Sequence, residues 1–312
     1  MNLKKPKFWD YKKPTFLAYF LWPLSFIVQI YSKIKKIITH KKKYKKIKTI
    51  CIGNIYLGGT GKTSLSLKIY EILSEKGKKV CFIKKDYFNQ KDEQKILKNK
   101  GKLFKSRKRK NALAEAINEN YEIAIFDDGL QDNSIFFDLS FICFNNINWI
   151  GNGLTLPSGP LRENINQLKN YKNIFLNGNE ENLEAIKKEI ININPEINIF
   201  VGKYVPNNLN EFDRKQKYLA FSGIGNHQSF ISMLNIYGFN IVKELEFPDH
   251  YFYKISDINN IISTSNKLGC KILTTEKDYN RIKNYNLENI KYIKTKLEIT
   301  NEKNLFKIIS SS

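Results

Sequence analysis

The sequence predicts an α/β fold: a doubly wound parallel sheet, a second and smaller α/β lobe, and an N-terminal helix associated with a membrane. Three observations carry this reading. Apolar runs of strand length alternate with helical stretches from residue 47 to about 190, the order that builds a parallel sheet covered on both faces. The pattern resets near residue 196 and alternates again toward the end. Ahead of both, residues 16–31 form an apolar run, "FLAYFLWPLSFIVQIY", with lysines on each flank.

The N-terminal run is too short for comfort as a membrane span, which needs roughly 20 residues. Pro23 lies in its middle and predicts a kink. No small-x-small cleavage site comes after it, which argues against a removable leader. The next stretch is instead the lysine-rich "KIKKIITHKKKYKKIK" (33–48). The net charge is +22, and residues 1–48 hold fourteen Lys against one Asp, so more than half of the excess lies there. Residues 1–46 therefore read as a hydrophobic anchor in or on the bilayer, then a basic segment against anionic headgroups. Two other readings compete: a buried helix with a solvated basic tail, and a nucleic-acid-binding arm. The second leaves a lipid-length apolar run without a purpose, so no nucleic acid partner is expected.

The main domain is expected over 47–200. "IKTICIG" (47–53) reads as a buried strand, and "KTSLSLKIYEILSEKG" after it as a helix ended by Gly77. "KVCFIK" (79–84) is a second strand, "RKRKNALAEAINENY" a helix, "EIAIFDD" (122–128) a third strand. "LSFICF" (139–144) and "KNIFLN" (172–177) are further strands, with a polar helix near 180–190. "NIFVGKYVP" links this domain to a lobe over 201–312. There "KYLAFSG" (217–223) and "CKILTT" are strands, helices start near Gln228 and at "ISDINNIISTSNKLG", and the tail closes with a short helix.

Between the first strand and the first helix lies "GNIYLGGTGKTS" (53–64). The strict phosphate-binding loop is G-x-x-x-x-G-K-[ST]. Gly61, Lys62 and Thr63 fit its end, but its first glycine would fall at Tyr56. The strand–loop–helix context still holds. Gly58, Gly59 and Gly61 let the backbone approach a phosphate, and the helix N-terminus adds partial positive charge. The loop residues Tyr56, Leu57, Gly58, Gly59, Thr60, Gly61, Lys62 and Thr63 are thus the candidate cradle, with Lys62 for the β- and γ-phosphates and Thr63 for Mg²⁺. The competing reading is a glycine-rich turn with a chance Lys-Thr pair.

A nucleotide site also wants an acid at the end of a neighbouring strand, where open α/β sheets bind ligands. Asp127 and Asp128 in "IAIFDD" supply it; otherwise they cap the next turn. No N-K-x-D base motif stands near the expected strand, which favours ATP over GTP. The fold expectation sharpens to a P-loop NTPase-like sheet with ATP and Mg²⁺ as cofactors. The composition leans toward Lys, Ile and Asn, so single Lys and Asn positions are discounted as signals. Cys51, Cys81, Cys143 and Cys270 form no C-x-x-C pair and read as buried structural thiols in a reducing compartment.

Six motifs carry a family resemblance. "GNIYLGGTGKT", "DDGLQ" (127–131), "GNGLTLPSGPLRE" (151–163), "SGIGN" (222–226), "FPDHY" (247–251) and "TTEKD" (274–278) occur in this order. Together they resemble the tetraacyldisaccharide 4'-kinase family over essentially the whole chain. The N-terminal "LWPLS" is similar to that family's membrane anchor. The resemblance implies transfer of the ATP γ-phosphate to the 4'-hydroxyl of a tetraacylated glucosamine disaccharide 1-phosphate, forming lipid IVA at the cytoplasmic face of the bacterial inner membrane.

It also implies residue roles. Asp127 and Asp128 match the family's acidic pair, for Mg²⁺ and active-site organisation. Arg162 and Glu163 match the end of "GPLRE", an Arg for phosphate and a Glu for the metal shell; a surface Arg–Glu helix start is the other reading. The expected metal set is Thr63, Asp128 and Glu163. His250 resembles the histidine that pairs with the catalytic carboxylate, and "QKDEQK" places Asp92 in that carboxylate's role. The Gly and Pro that usually flank it are absent, leaving open a solvated acid in a lysine-rich loop. Further departures cluster nearby: Lys85 for Arg and Asp86 for Gly in the segment after the second strand, and Asp132 for His after "DDGLQ". The expected partners are a lipid disaccharide and an anionic membrane surface, and the chain is expected to be a monomer. Two alternatives stand: a membrane-anchored ATPase switch with no lipid acceptor, and a polyanion binder using the basic N-terminus.

Overall fold

The structure is a computed structural model that describes residues 5–86, 91–178, 182–249, 251–285 and 289–311. It divides into two compact units, one of residues 1–202 with 299–312 and one of residues 203–298. The expected second lobe ran from 201 to the C-terminus. Instead the tail returns to the first unit, because α10 (Glu302–Ser311) buries Leu305 and Ile309, and Ile309 carbonyl accepts from Lys48 Nζ.

The first unit is built on a sheet of order β12-β7-β6-β5-β1-β4-β2-β3. Its strands are β1 (Lys48–Gly53), β2 (Val80–Lys85), β3 (Leu103–Ser106), β4 (Ile123–Asp127), β5 (Leu139–Asn145), β6 (Asn173–Asn177), β7 (Asn198–Pro206) and β12 (Thr295–Thr300). β1 lies between β4 and β5 and runs parallel to both. The chain turns back on itself at this switch point, so the crevice for a ligand opens at the C-terminal ends of β1, β4 and β5. Strands buried on both faces need no polar alternation, which is why they read as continuous apolar runs. On one face Cys51, Ile142 and Leu176 pack with Ile186 and Ile190 of α6 (Leu183–Ile193). Beside them Cys81, Ala124 and Phe126 pack with Ala112, Leu113 and Ala116 of α5 (Arg109–Asn118). α3 (Lys62–Glu75) packs on β1, β2 and β4 through Leu65, Ile69, Ile72 and Leu73.

The N-terminal apolar run is two helices, not one kinked helix. α1 (Phe16–Phe20) stops at Leu21, and α2 (Trp22–Ile38) starts there with Pro23 in its first turn. Proline is at home in a first turn, where its missing N–H has no acceptor to reach. Among the described residues no helix is long and apolar enough to cross a membrane.

The second unit is a parallel sheet of order β11-β10-β8-β9, from β8 (Lys217–Ser222), β9 (Asn240–Glu246), β10 (Lys271–Thr275) and β11 (Ile290–Ile293). One face packs Tyr218, Ala220 and Leu273 against α7 (His227–Ile236), the other Leu219, Phe221 and Ile272 against α8 (Ile255–Leu268). All four cysteines are free; Cys51, Cys81 and Cys143 are buried, whereas Cys270 is only half-buried, since it precedes β10 rather than lying in it. Burial pushes the Cys81 thiol up to about 12, which keeps it inert.

Candidate active site

The glycine-rich loop leaves β1 at Gly53 and enters α3 at Lys62. Gly61 caps the helix in the left-handed region, with φ 84°. A Cβ there would lie 2.9 Å from Asn177 Nδ2 at the end of β6, so glycine is required twice over. Asn54 braces the loop from within, donating to the Tyr56 carbonyl and to Thr60 Oγ1 (3.1 Å). From outside, Asn145 at the end of β5 donates to the Gly59 carbonyl at 2.8 Å.

Tyr56, where the strict pattern has glycine, is explained by its backbone. It forms an antiparallel bridge with Leu161, flanked by Leu57 N–H to the Pro160 carbonyl (2.9 Å) and Arg162 N–H to the Ile55 carbonyl (2.6 Å). Extended backbone needs no glycine. The Tyr56 ring is buried, and its hydroxyl donates to Asp10 at 2.7 Å; burial and that carboxylate raise its pKa. The "GPLRE" segment is therefore fastened to the loop by main-chain bonds.

Asp127 closes β4, level with Ile52 of β1. Its Oδ2 accepts from Thr63 Oγ1 (3.1 Å) and from Lys84 Nζ (2.6 Å). Its Oδ1 is buried and without a hydrogen-bond partner. Lys84, the fifth residue of β2, is 1% exposed and also reaches Glu93 Oε2 at 2.7 Å. Burial works against its charge, but the Asp127 and Glu93 carboxylates outweigh it and hold the ammonium above the ordinary lysine value.

Asp128 has a left-handed backbone, φ 60°. Its N–H donates to the Ile52 carbonyl at 2.8 Å, and its own carbonyl accepts from Arg109 Nη2. Its carboxylate accepts from Arg162 Nη1 at 3.1 Å, and the same nitrogen reaches Gln131 Oε1 at 2.8 Å. Burial alone would raise the Asp128 pKa, but Lys62 and Arg162 bring it below the usual value. Glu163 is buried and accepts from Lys36 Nζ of α2 at 2.7 Å.

The expected residues are thus brought together in part. Thr63 sits on Asp127, not on Asp128, while Asp128 is engaged by Arg162 and Glu163 by Lys36. Three-membered groups of His, Cys, Asp or Glu fit to hold a metal are absent among the described residues. Asp92 lies in the first turn of α4 (Lys91–Lys100). His250 lies outside the described residues. Sequence reasoning passed over Lys84, Asn54, Asn145, Gln131 and Lys36. A lysine at the end of an apolar strand was the one signal available for Lys84.

The site has the features a nucleotide needs. Among the described residues the N–H groups of Gly58 to Lys62 have no acceptor, and Lys62 Nζ has no partner. The buried, unpartnered Asp127 Oδ1 beside the Thr63 hydroxyl fits a hydrated divalent cation. Residues 17–312 match the family described as tetraacyldisaccharide-1-P 4'-kinase.

The chain belongs to the tetraacyldisaccharide 4'-kinase family.

A tetraacyldisaccharide 4'-kinase of Pelagibacter ubique is 59% identical over 307 residues, 98% of this chain and 96% of the relative. One from Rickettsia canadensis is 31% identical over 322 residues, 96% of this chain and 95% of the relative. LpxK from Aquifex aeolicus, solved in complex with ATP, matches with a TM-score of 0.68 at 22% identity, covering 95% of this chain and 99% of that one. At that identity the likeness speaks for the fold. Membership of the tetraacyldisaccharide 4'-kinase family makes the chain an ATP-dependent kinase of lipid A biosynthesis, acting on the 4'-hydroxyl of a tetraacyldisaccharide 1-phosphate to form lipid IVA. The switch without a lipid acceptor is not favoured.

Proposed function

We propose that the kinase performs this transfer with the loop at 56–63 as its phosphate cradle, Lys62 as the charge on the transferred phosphoryl group, and Thr63 with Asp127 as the holders of Mg²⁺. The observation that carries this is the Thr63–Asp127 contact, with one carboxylate oxygen left unpartnered next to a loop whose N–H groups have no acceptor. When bound, Mg²⁺ supplies charge neutralisation at the phosphates. The protein's own part is positioning and electrostatics. Loop amides and Lys62 stabilise negative charge. Asp128 and Arg162 hold each other, so the Arg162 guanidinium is kept beside the C-terminal end of β4, where it can meet a phosphate. Asp92 takes the proton of the sugar hydroxyl, and His250 tunes that base, the roles the family resemblance implies. Glu163, engaged by Lys36, fastens the anchor helix to the loop at 151–163 rather than binding metal.

The same proposal places the enzyme on an anionic membrane surface, as a monomer, at the cytoplasmic face. α2 supports it. Ser25, Gln29 and Lys36 lie on one helical face and bond to Thr155, Ser158 and Glu163. The opposite face leaves Phe26, Ile27, Ile30 and Ile37 exposed, beside Lys33 and Lys35. The test is transfer of labelled γ-phosphate to tetraacyldisaccharide 1-phosphate in mixed micelles by the full chain. Lys62→Ala is expected to lower the rate by roughly a hundredfold or more while vesicle binding is kept. Transfer by Lys62→Ala at the wild-type rate would sink the assignment.

A further inference from the structure

A lysine with 1% exposure is costly to keep unless its partners are fixed. Lys84 has two, and they belong to different parts of the site. β2 runs parallel to β4 with Ile83 opposite Phe126, so Lys84 lies alongside Asp127. Its ammonium is 2.6 Å from Asp127 Oδ2, the oxygen that also accepts from Thr63. Its second carboxylate, Glu93 at 2.7 Å, stands in the first turn of α4 next to Asp92. Two donors fix the Asp127 carboxylate through Oδ2 alone, and Oδ1 is left as its free acceptor.

We propose that Lys84 is a positioning residue for phosphoryl transfer: it locks the Asp127 carboxylate beside Thr63 with Oδ1 presented, and it ties the turn of α4 that carries Asp92 to the end of β4. This rests on the reading of Thr63 and Asp127 as the nucleotide site. Glu93 becomes part of the same link.

Lys84→Met, Lys84→Arg and Glu93→Gln are compared with the wild type and with Lys62→Ala. Three quantities are read: kcat and KM for ATP, affinity for a fluorescent ATP analogue with Mg²⁺ and with EDTA, and hydrogen exchange across residues 91–100. Loss of a charged hydrogen bond predicts a fall in kcat of about 30-fold for Lys84→Met. Affinity in EDTA stays within about threefold, since the loop amides and Lys62 are untouched, while KM, read with Mg²⁺ present, rises. The gain in affinity given by Mg²⁺ shrinks. Lys84→Arg restores most of kcat. Glu93→Gln, which spares the Asp127 pair and so the core, lowers kcat by about fivefold and speeds exchange in α4. Wild-type kcat in Lys84→Met, or an equal loss of affinity in EDTA, overturns the proposal while a dead Lys62→Ala upholds the site. If Lys84→Met does not fold, unchanged kcat and exchange in Glu93→Gln overturn it. Full activity in Lys62→Ala would overturn the site reading and this inference with it.

Discussion

Two helices of the first unit, α2 and α3, solve opposite problems with similar means. α3 hides its apolar residues, Leu65 and Ile69 fully, against the sheet. α2 hides Ser25 and leaves Phe26 and Ile27 about 60% exposed. Both are held by specific contacts, so neither is loosely attached. The difference lies in what covers the outer face. α4 and α10 pack on α3 beyond the sheet, whereas the outer face of α2 is left apolar and exposed, the face that the proposed function sets against a lipid surface. The charge agrees, because the lysines that come after α2 are concentrated in the same segment. A helix read only for its apolar content would look the same in either setting; the side on which the polar residues find partners tells them apart.

The largest expected effect separates the two directly. Leu65→Asp in α3 puts an unpaired carboxylate in the core and should cost about 4 kcal/mol or more, enough to abolish the unfolding transition. Phe26→Asp in α2 should leave the urea midpoint nearly unchanged and instead weaken binding to anionic vesicles about tenfold. If both variants unfolded alike, the outer face of α2 would be core and the comparison would fail. A smaller effect concerns how α2 is fastened. Ser25 Oγ donates to the Thr155 carbonyl at 2.9 Å and pairs with Ser158 Oγ at 2.7 Å, all buried. Ser25→Ala should lower stability by about 1–2 kcal/mol in urea unfolding. A neutral result would mean that α2 is held by its ends alone.

The smallest effect is a pH dependence. Asp128 has a folded pKa below its unfolded value, owing to Lys62 and Arg162 against burial. Its charge therefore stabilises the fold fully above the ordinary carboxylate value of about 3.9, and that contribution fades as pH falls through the lower folded value. The stability gap between wild type and Asp128→Asn should be open at pH 7 and narrow below pH about 4. A gap that widened on acidification would reverse the sign of the pairing.

Much of the fold could be read in advance, for an identifiable reason. Strands such as β1 and β4 are buried on both faces and spell continuous apolar runs. β9 is mostly exposed and β12 half exposed, and both carry charges, "NIVKELE" and "TKLEIT", so nothing in their pattern stood out. β3 has four residues, too few for a period. At the site, the glycines and Lys62-Thr63 were legible because a phosphate cradle constrains backbone and spacing together. Which acid takes Thr63 was not, because Asp127 and Asp128 are neighbours and only the left-handed turn at Asp128 decides which one faces the loop. Lys84, Asn54 and Asn145 were hidden by composition: in a chain rich in Lys and Asn, the few that bond inside the site look like the many that do not. The partner of Glu163 was not legible either, because Lys36 lies 127 residues away in the sequence.

The most direct test presents the acceptor in two ways. Tetraacyldisaccharide 1-phosphate is embedded in anionic vesicles or dispersed in detergent micelles, and label transfer from ATP is measured for the wild type and for Phe26→Asp combined with Ile30→Asp. The account predicts that the double variant keeps its rate on micelles and loses about tenfold or more on vesicles. Equal rates on both acceptors would contradict it, because the outer face of α2 would then have no part in bringing the kinase to its lipid.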